Sequence, residues 1–411
     1  MEKNINIAII TSGYFPLPPV KGGAIEALVE EIIEEYNPGD AGLTIYSVYD
    51  PEAEMEKNTN GFNCISYIKI PRLIQIFDKI SYFIVKNILK KKKHMSYRYI
   101  FQRLYFIDQI AKELNANNFT DVIFENHPTL LKSLDKYNNS EKYEGHYYYH
   151  AHNEITNDFG ETRNLINVKK FICVSKYIGN TILQRYSSIS KDKITVLRNR
   201  VDETRFKNVS DDEIANFKEK YHIDSHDMVF TFSGRLNREK GVRELISAFK
   251  KANIQNAKLI VAGSYYFGLN IRSNYEDEIL EEAEPIKEKV IFTGNIPYSE
   301  MPVLYALSDV VVLPSIWNDP APLTVIESLT CAKPLITTIS GGIPEYANSD
   351  NSILVPVDEK LVDNISQAMQ TLANDQKRRL RLSENAKMDA KYWTKEGYYK
   401  DLISIIRDDK K

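Results

Sequence analysis

Short apolar runs alternate with helix-period stretches along the whole chain, and that rhythm limits the architecture more than any other feature. The first half carries INIAIIT, LTIYSVY, DVIFEN, HYYYHAH, KFICVS and KITVLRN; the second carries MVFTFSG, KLIVAG, VIFTG, VVVLP and PLITT. Strands of this length separated by helices predict βαβ units, hence parallel sheets covered on both faces. Each half restarts with a strand that runs into a glycine-containing turn and a helix. The expected fold class is therefore α/β, with two Rossmann-like, doubly wound domains. A length of 411 residues is enough for two cores. We place the boundary near Asn199–Asp202, giving a first domain over 1–200 and a second over 201–389, with Asp211–Tyr221 as a helical lead-in to the second.

Composition excludes several function classes. Net charge is -3 with 27% charged residues, so no nucleic-acid partner is expected. The three cysteines, Cys64, Cys173 and Cys331, are widely spaced and form no CxxC, which implies neither a disulfide nor a zinc site. No signal sequence precedes the first strand, and no window reaches the roughly 18 apolar residues of a spanning helix. A cytoplasmic protein is expected. GxGxxG, GxxxxGK[ST], HExxH and GxSxG are all absent, as is a DxD triplet, so dinucleotide redox chemistry, NTP hydrolysis and the common hydrolases lose support.

The chemistry concentrates after DVVVLP, in Asn318-Asp319-Pro320-Ala321-Pro322-Leu323-Thr324-Val325-Ile326-Glu327. Ligands of open α/β sheets bind at the carboxyl ends of strands. Here two acids flank a proline-pinned loop and a helix start, whose Ala321, Leu323 and Thr324 amides are suited to an anion. An acid, a ring of amides and a second acid fit a sugar, a diphosphate and a ribose. Arg235 and Lys240, in GRLNREKG after MVFTFS, supply a bidentate fork and a point charge for phosphate. Gly22 and Gly23 open the helix after the first strand, where backbone can approach a phosphate closely. His150, at the end of YYYHAH, can bond a sugar hydroxyl or a leaving phosphate. His152 points the same way, but no third metal ligand presents itself nearby. His127 has a similar position and weaker claims. Gly341-Gly342 permit another close approach, with Glu345 as a helix cap or hydroxyl acceptor.

Together these segments resemble the retaining glycosyltransferases of family 4, which have the GT-B fold with a deep cleft between two Rossmann-like domains. The resemblance rests on GGAIE, YHAHN, FICVSKYI, VLRNRVD, FSGRLNREKGVRELISAF, IVAG, VIFTGNI, DPAPLTVIE and SGGIPEY. It implies a nucleotide-sugar donor, here UDP-linked, and a glycan or lipid-linked acceptor of an envelope polysaccharide, with no metal or other cofactor. By the same resemblance Arg235 and Lys240 bind the donor diphosphate; the helix starts at Gly22, Gly23, Leu323 and Thr324, read from the residues themselves, are expected to join them. Glu327 binds the ribose, Ile296 lies beside the base, and His150 contacts the donor sugar. Asp319, in a loop with Pro320, Ala321 and Pro322, takes the sugar-binding position where the family's E-x7-E pair has glutamate. A final helix over about 390–411 is expected to pack back on the first domain. Two rival readings share the fold: a non-catalytic scaffold or partner subunit, and a sugar-nucleotide 2-epimerase.

One region departs from the average composition. Between residues 69 and 103 there are ten Lys/Arg and one acid, Asp78. Ile74, Phe77, Ile80, Phe83, Ile84 and Ile88 fall on one helical face, followed by Lys90, Lys91, Lys92 and Lys93. That pattern suits an anionic membrane surface and peripheral attachment at the inner face of the plasma membrane; it also suits a core-facing helix with a solvated end.

Overall fold

The computed structural model describes residues 5–89, 98–206, 209–264 and 273–408. Its contacts divide the chain into two units. Unit 1 is Met1–Val174, Ile178–Leu197 and Tyr399–Lys411; unit 2 is Ser175–Tyr177 and Arg198–Tyr398.

Unit 1 is built on seven parallel strands: β1 (Asn6–Ile10), β2 (Gly42–Val48), β3 (Ile65–Ile68), β4 (Asp121–Glu125), β5 (Tyr147–Ala151), β6 (Lys170–Cys173) and β7 (Ile194–Val196). Their order is β3-β2-β1-β4-β5-β6-β7. Every residue of β4 and β5 is buried, as expected of central strands covered on both faces. Unit 2 has six parallel strands: β8 (Met228–Ser233), β9 (Ala257–Ala262), β10 (Val290–Gly294), β11 (Val310–Leu313), β12 (Leu335–Thr338) and β13 (Ser352–Val355), in the order β10-β9-β8-β11-β12-β13. Both sheets are doubly wound. The winding reverses between β1 and β4 in one and between β8 and β11 in the other, and those reversals leave a crevice beyond the strand ends. The sequence reading missed β3 and β13, which lie at sheet edges.

Local signals fix the helices. Helix Asp211–Lys220 starts at a capping box in which Ser210 and Glu213 satisfy each other's backbone amides. Helix Val242–Ala252 buries Val242, Leu245, Ile246, Ala248, Phe249 and Ala252 and turns its charged residues outward. The last helix, Lys395–Asp408, begins in unit 2, and its residues from Tyr399 on belong to unit 1. There the Tyr399 hydroxyl accepts from the Asn37 amide at 3.4 Å, and Arg407 Nη2 donates to the Asp40 carbonyl at 3.0 Å.

Helix Arg72–Phe83, continued by a π-helical turn Ile84–Ile88, is reversed relative to the usual plan. Its Asp78 is buried, and the carboxylate accepts from the amides of Phe101 and Gln102 at 2.9 Å each, capping the next helix, Ile100–Ala116. Leu73, Ile76, Phe77, Ile80, Phe83, Ile84 and Ile88 are exposed, from 39% at Ile84 to 70% at Leu73. Lys90 to Lys93 lie outside the described residues. Among the described residues no helix is long and apolar enough to cross a membrane.

Candidate active site

In unit 2 three loops meet at the carboxyl ends of adjacent strands β8, β11 and β12. The loop after β8 is tied to the loop after β11 through one carbonyl, that of Glu239, which accepts from the Ile316 amide at 2.9 Å and the Ser315 hydroxyl at 3.3 Å. Gly241 lies so close to this junction that a Cβ there would strike the Pro314 carbonyl oxygen. The loop after β12 supports the segment 318–320 from behind. The Gly342 amide donates to the Asp319 carbonyl at 2.8 Å, and a Cβ on Gly342 would collide with the Pro320 carbonyl oxygen. The paired glycines therefore allow a close approach of backbone to backbone. Glu345 caps: it accepts from the Lys176 and Tyr177 amides at 2.9 and 2.8 Å.

This framework brings Lys240 and Asp319 together as a direct ion pair between Nζ and Oδ2. The Asp319 carboxylate is almost fully buried, whereas the Lys240 side chain keeps 20% of its surface. Arg235 is exposed on the same loop as Lys240, and among the described residues its side chain makes no ion pair. Pro320 and Ala321 are buried, and the Ala321 carbonyl accepts from Asn199 Nδ2 at 3.0 Å. Pro322 is the N-cap of helix Leu323–Thr330, so the Leu323 and Thr324 amides head that helix with no intrahelical carbonyl to bond.

Glu327 sits one turn further along this helix, buried between two phenols. Oε1 accepts from the Tyr298 hydroxyl at 3.1 Å and Oε2 from Tyr305 at 2.8 Å; the Tyr305 hydroxyl also meets Ser233 Oγ, at the end of β8, at 2.8 Å. Burial raises the Glu327 carboxyl above its ordinary range, and the two phenol donors oppose that rise. Each carboxylate oxygen can accept a further hydrogen bond. Ile296 belongs to the apolar cluster of Val229, Ile260, Val303 and Leu304, with little side-chain surface left. A cavity of about 680 Å³ lined by Met228, Asn256 and Asp309 lies at the opposite, amino-terminal edge of the sheet, away from these residues.

Gly22, Gly23 and His150 belong to unit 1. Gly23 is the N-cap of helix Ala24–Glu34, whose Glu26 turns back toward the end of β1 and accepts from Ser12 Oγ at 2.7 Å. Burial pushes the Glu26 carboxyl up to about 7, against the Ser12 hydrogen bond. At the ends of β4 and β5, Glu125 stands opposite His150 in register. Its Oε1 lies 3.2 Å from His150 Nδ1, and its Oε2 lies 2.7 Å from His152 Nε2. This corrects the expectation that no third ligand-type residue stands near the two histidines. Glu125 is supplied by the neighbouring strand, a proximity that linear spacing does not reveal, and facing atoms of the three groups lie within 4.8 Å of one another. Burial alone would raise the Glu125 carboxyl, but the two imidazoles outweigh it and hold it at about 2. His127 stacks on Phe159 at 5.3 Å, and burial lowers it to about 4.

Sequence reasoning thus missed Glu26, Glu125, Tyr298 and Tyr305 as site groups. Glu125 ends β4 and Glu26 lies in the first turn of the helix that follows β1, so both carried a signal of position. The tyrosines carried none, because they reach Glu327 only through the fold.

Residues 213–389 match the family described as Glycosyl transferases group 1. The fold is a GT-B architecture of two Rossmann-like units, and the match to the group 1 glycosyltransferases falls on the second of them. YtcC of Bacillus subtilis (strain 168), which carries the name of a glycosyltransferase, is 25% identical over 394 residues, covering 93% of this chain and 87% of YtcC. Anabaena Alr3699/HepE, solved in complex with UDP and glucose, superposes with a TM-score of 0.73 at 16% identity, over 98% of this chain and 100% of that one. WaaG, a glycosyltransferase involved in lipopolysaccharide biosynthesis, gives 0.65 at 14% identity, over 97% and 99%. At such identities the structural likeness establishes the fold.

Proposed function

We propose that the protein transfers a hexosyl unit from a UDP-sugar to a glycan or lipid-linked acceptor of an envelope polysaccharide, with retention at the anomeric carbon. The observation that carries this reading is the set of loops after β8, β11 and β12, which places cations, a helix N-terminus and two buried carboxylates at one strand-end crevice. Arg235, Lys240, Gly22, Gly23 and the Leu323 and Thr324 amides take the diphosphate. Glu327 takes the ribose hydroxyls, and the backbone around Ile296 borders the base. Asp319 and the loop Pro320-Ala321-Pro322 face the sugar, as does His150. The complex of Alr3699/HepE with UDP and glucose supports this donor class, and the role of WaaG in lipopolysaccharide biosynthesis supports an envelope acceptor.

In the step itself, the bond from the anomeric carbon to the diphosphate oxygen breaks. The acceptor oxygen bonds to that carbon on the same face, and the leaving phosphate takes the acceptor's proton. Arg235 and Lys240 offset the charge that develops on the diphosphate. Lys240 can leave Asp319 for phosphate as the donor arrives, which frees Asp319 to accept from a sugar hydroxyl. No metal is invoked. Measuring UDP release and the configuration of the product tests the proposal: an inverted product removes retention, and conversion of donor without acceptor favours the epimerase reading.

A second observation favours attachment to an anionic bilayer. The apolar face of Arg72–Ile88 points outward because Asp78 holds the opposite face against the next helix. Phe101 and Leu104 add to the exposed apolar surface from that helix. An outward-facing apolar helix flanked by exposed Arg72, Lys79, Lys86 and Arg98, with Lys90 to Lys93 following in sequence, matches anionic lipid in both polarity and charge. Phe77→Ser with Ile80→Ser should abolish sedimentation with phosphatidylglycerol vesicles. Salt should weaken wild-type binding, since each basic side chain near the surface contributes about 1 kcal/mol. A wild type that ignores these vesicles, or that forms dimers broken by the same two changes, would assign the face to something other than lipid.

A further inference from the structure

The sequence left His150 with two partners, a hydroxyl or a phosphate. The groups behind it choose between them. Glu125 is the last residue of β4, His150 lies on the adjacent β5, and both side chains are almost wholly buried. The strand ends are locked together by Asn126, whose Oδ1 accepts from the His152 and Asn153 amides at 3.0 Å each. Within this lock the Glu125 carboxylate bridges the nitrogen edges of two neighbouring rings, whose centroids are 4.0 Å apart, and faces Nδ1 of His150 and Nε2 of His152. An ionised carboxylate only accepts hydrogen bonds, so each ring must turn an N–H toward it. A neutral His150 protonated on Nδ1 carries a lone pair on Nε2. That Nε2 atom is buried and has no hydrogen-bond partner among the described residues.

We propose that Glu125 is a positioning residue: it fixes His150 as the Nδ1–H tautomer, so that Nε2 accepts a hydrogen bond from a sugar hydroxyl and does not bind phosphate. A hydroxyl donates to a lone pair; a phosphate oxygen has no proton to offer and would require the opposite tautomer or an imidazolium. This inference rests on the glycosyl-transfer reading for the identity of the hydroxyl, but the tautomer itself can be measured without it. His152 shares the carboxylate and keeps its second oxygen engaged, so Glu125 cannot rotate away from His150 without losing a 2.7 Å hydrogen bond.

The test is long-range proton–nitrogen correlation NMR on the full chain with labelled histidine, with His150→Gln for assignment. The expected wild-type spectrum shows His150 protonated at Nδ1 and bare at Nε2 at neutral pH. Glu125→Gln should shift that population toward the Nε2–H form, because the amide can donate to Nδ1. UDP affinity should stay unchanged, while turnover of UDP-sugar should fall by about 10- to 100-fold, less than the ~10⁴-fold loss seen where a wrongly held imidazole is the general base. A wild-type His150 protonated at Nε2 overturns the proposal, as does a folded Glu125→Gln protein with an unchanged tautomer. Elemental analysis that finds a stoichiometric divalent cation also overturns it, since the same facing atoms would then be metal ligands. If the variant does not fold, the wild-type spectrum still decides. If the tautomer is as expected but no UDP-sugar turns over, the transfer reading fails and the positioning role stands.

Discussion

The carboxyl edges of the two sheets are built on different electrostatic plans. In unit 2 one acid meets a cation directly, Asp319 against Lys240, with Arg235 exposed on the same loop as Lys240, while Glu327 accepts from two phenols. In unit 1 the acids at the edge meet hydroxyl and imidazole groups: Glu26 accepts from a serine hydroxyl, and Glu125 faces two imidazoles. An ion pair at a helix N-terminus can exchange its acid for a diphosphate, so the first plan suits an anion. A carboxylate that accepts from a hydroxyl, and an imidazole that donates to a carboxylate, each keep a lone pair for a further donor, which suits hydroxyls. Under the proposed function, the first plan would serve a diphosphate and the second hydroxyl groups.

The sharpest way to break this contrast is to remove the exposed cation. Arg235→Ala should lower turnover by about two to three orders of magnitude and leave the melting transition unchanged, as loss of one preorganised charge donor does. Near-normal UDP release from a folded variant would place the diphosphate elsewhere. The plan of unit 1 is tested at Glu26, whose carboxyl titrates near 7 in the fold because burial penalises its charge. An acid raised in this way stabilises the fold below its unfolded value, and that contribution is lost as pH rises toward 7. Glu26→Gln should therefore stabilise the protein by about 3 kcal/mol at pH 8, since each tenfold gain in proton affinity on folding is worth ~1.4 kcal/mol. At pH 5 the gain should shrink to under about 1 kcal/mol, as read from denaturant unfolding. Equal gains at both values would show that burial does not hold this group neutral.

A smaller effect is expected from splitting the ion pair. Asp319→Asn leaves Lys240 without its partner and should cost about 2 kcal/mol, below the roughly 3–5 kcal/mol of a fully buried pair because Lys240 reaches solvent. UDP affinity should be preserved or improved, since the ammonium is released for phosphate, while use of the intact sugar nucleotide suffers. A loss of UDP binding in calorimetry would mean that Asp319 itself orders the diphosphate loops.

Much of this was legible before the structure. Strand–helix alternation gave both sheets except β3 and β13, whose edge positions depend on sheet order. The loops after β8 and β11 were readable because their cations and acids follow strands directly. The Lys240–Asp319 pairing was not, because it depends on the reversal of winding that sets β11 beside β8. Amphipathic period revealed helix Arg72–Phe83 but not its orientation. The same period in Val242–Ala252 describes a helix with its apolar face inward; the difference is one buried acid, Asp78, which finds two amides to bond. Period fixes that a helix has two faces, and partners decide which one is buried.

The central claim, a uridine diphosphate site at the carboxyl edge of the second sheet, is tested most directly by calorimetric titration of the full chain with UDP. Wild type should bind at a single site, and Glu327→Gln should weaken that binding by about tenfold, the worth of one ribose hydrogen bond to a charged acceptor. A folded wild type that gives no binding at millimolar UDP would contradict the account and leave a scaffold with the shape of a transferase.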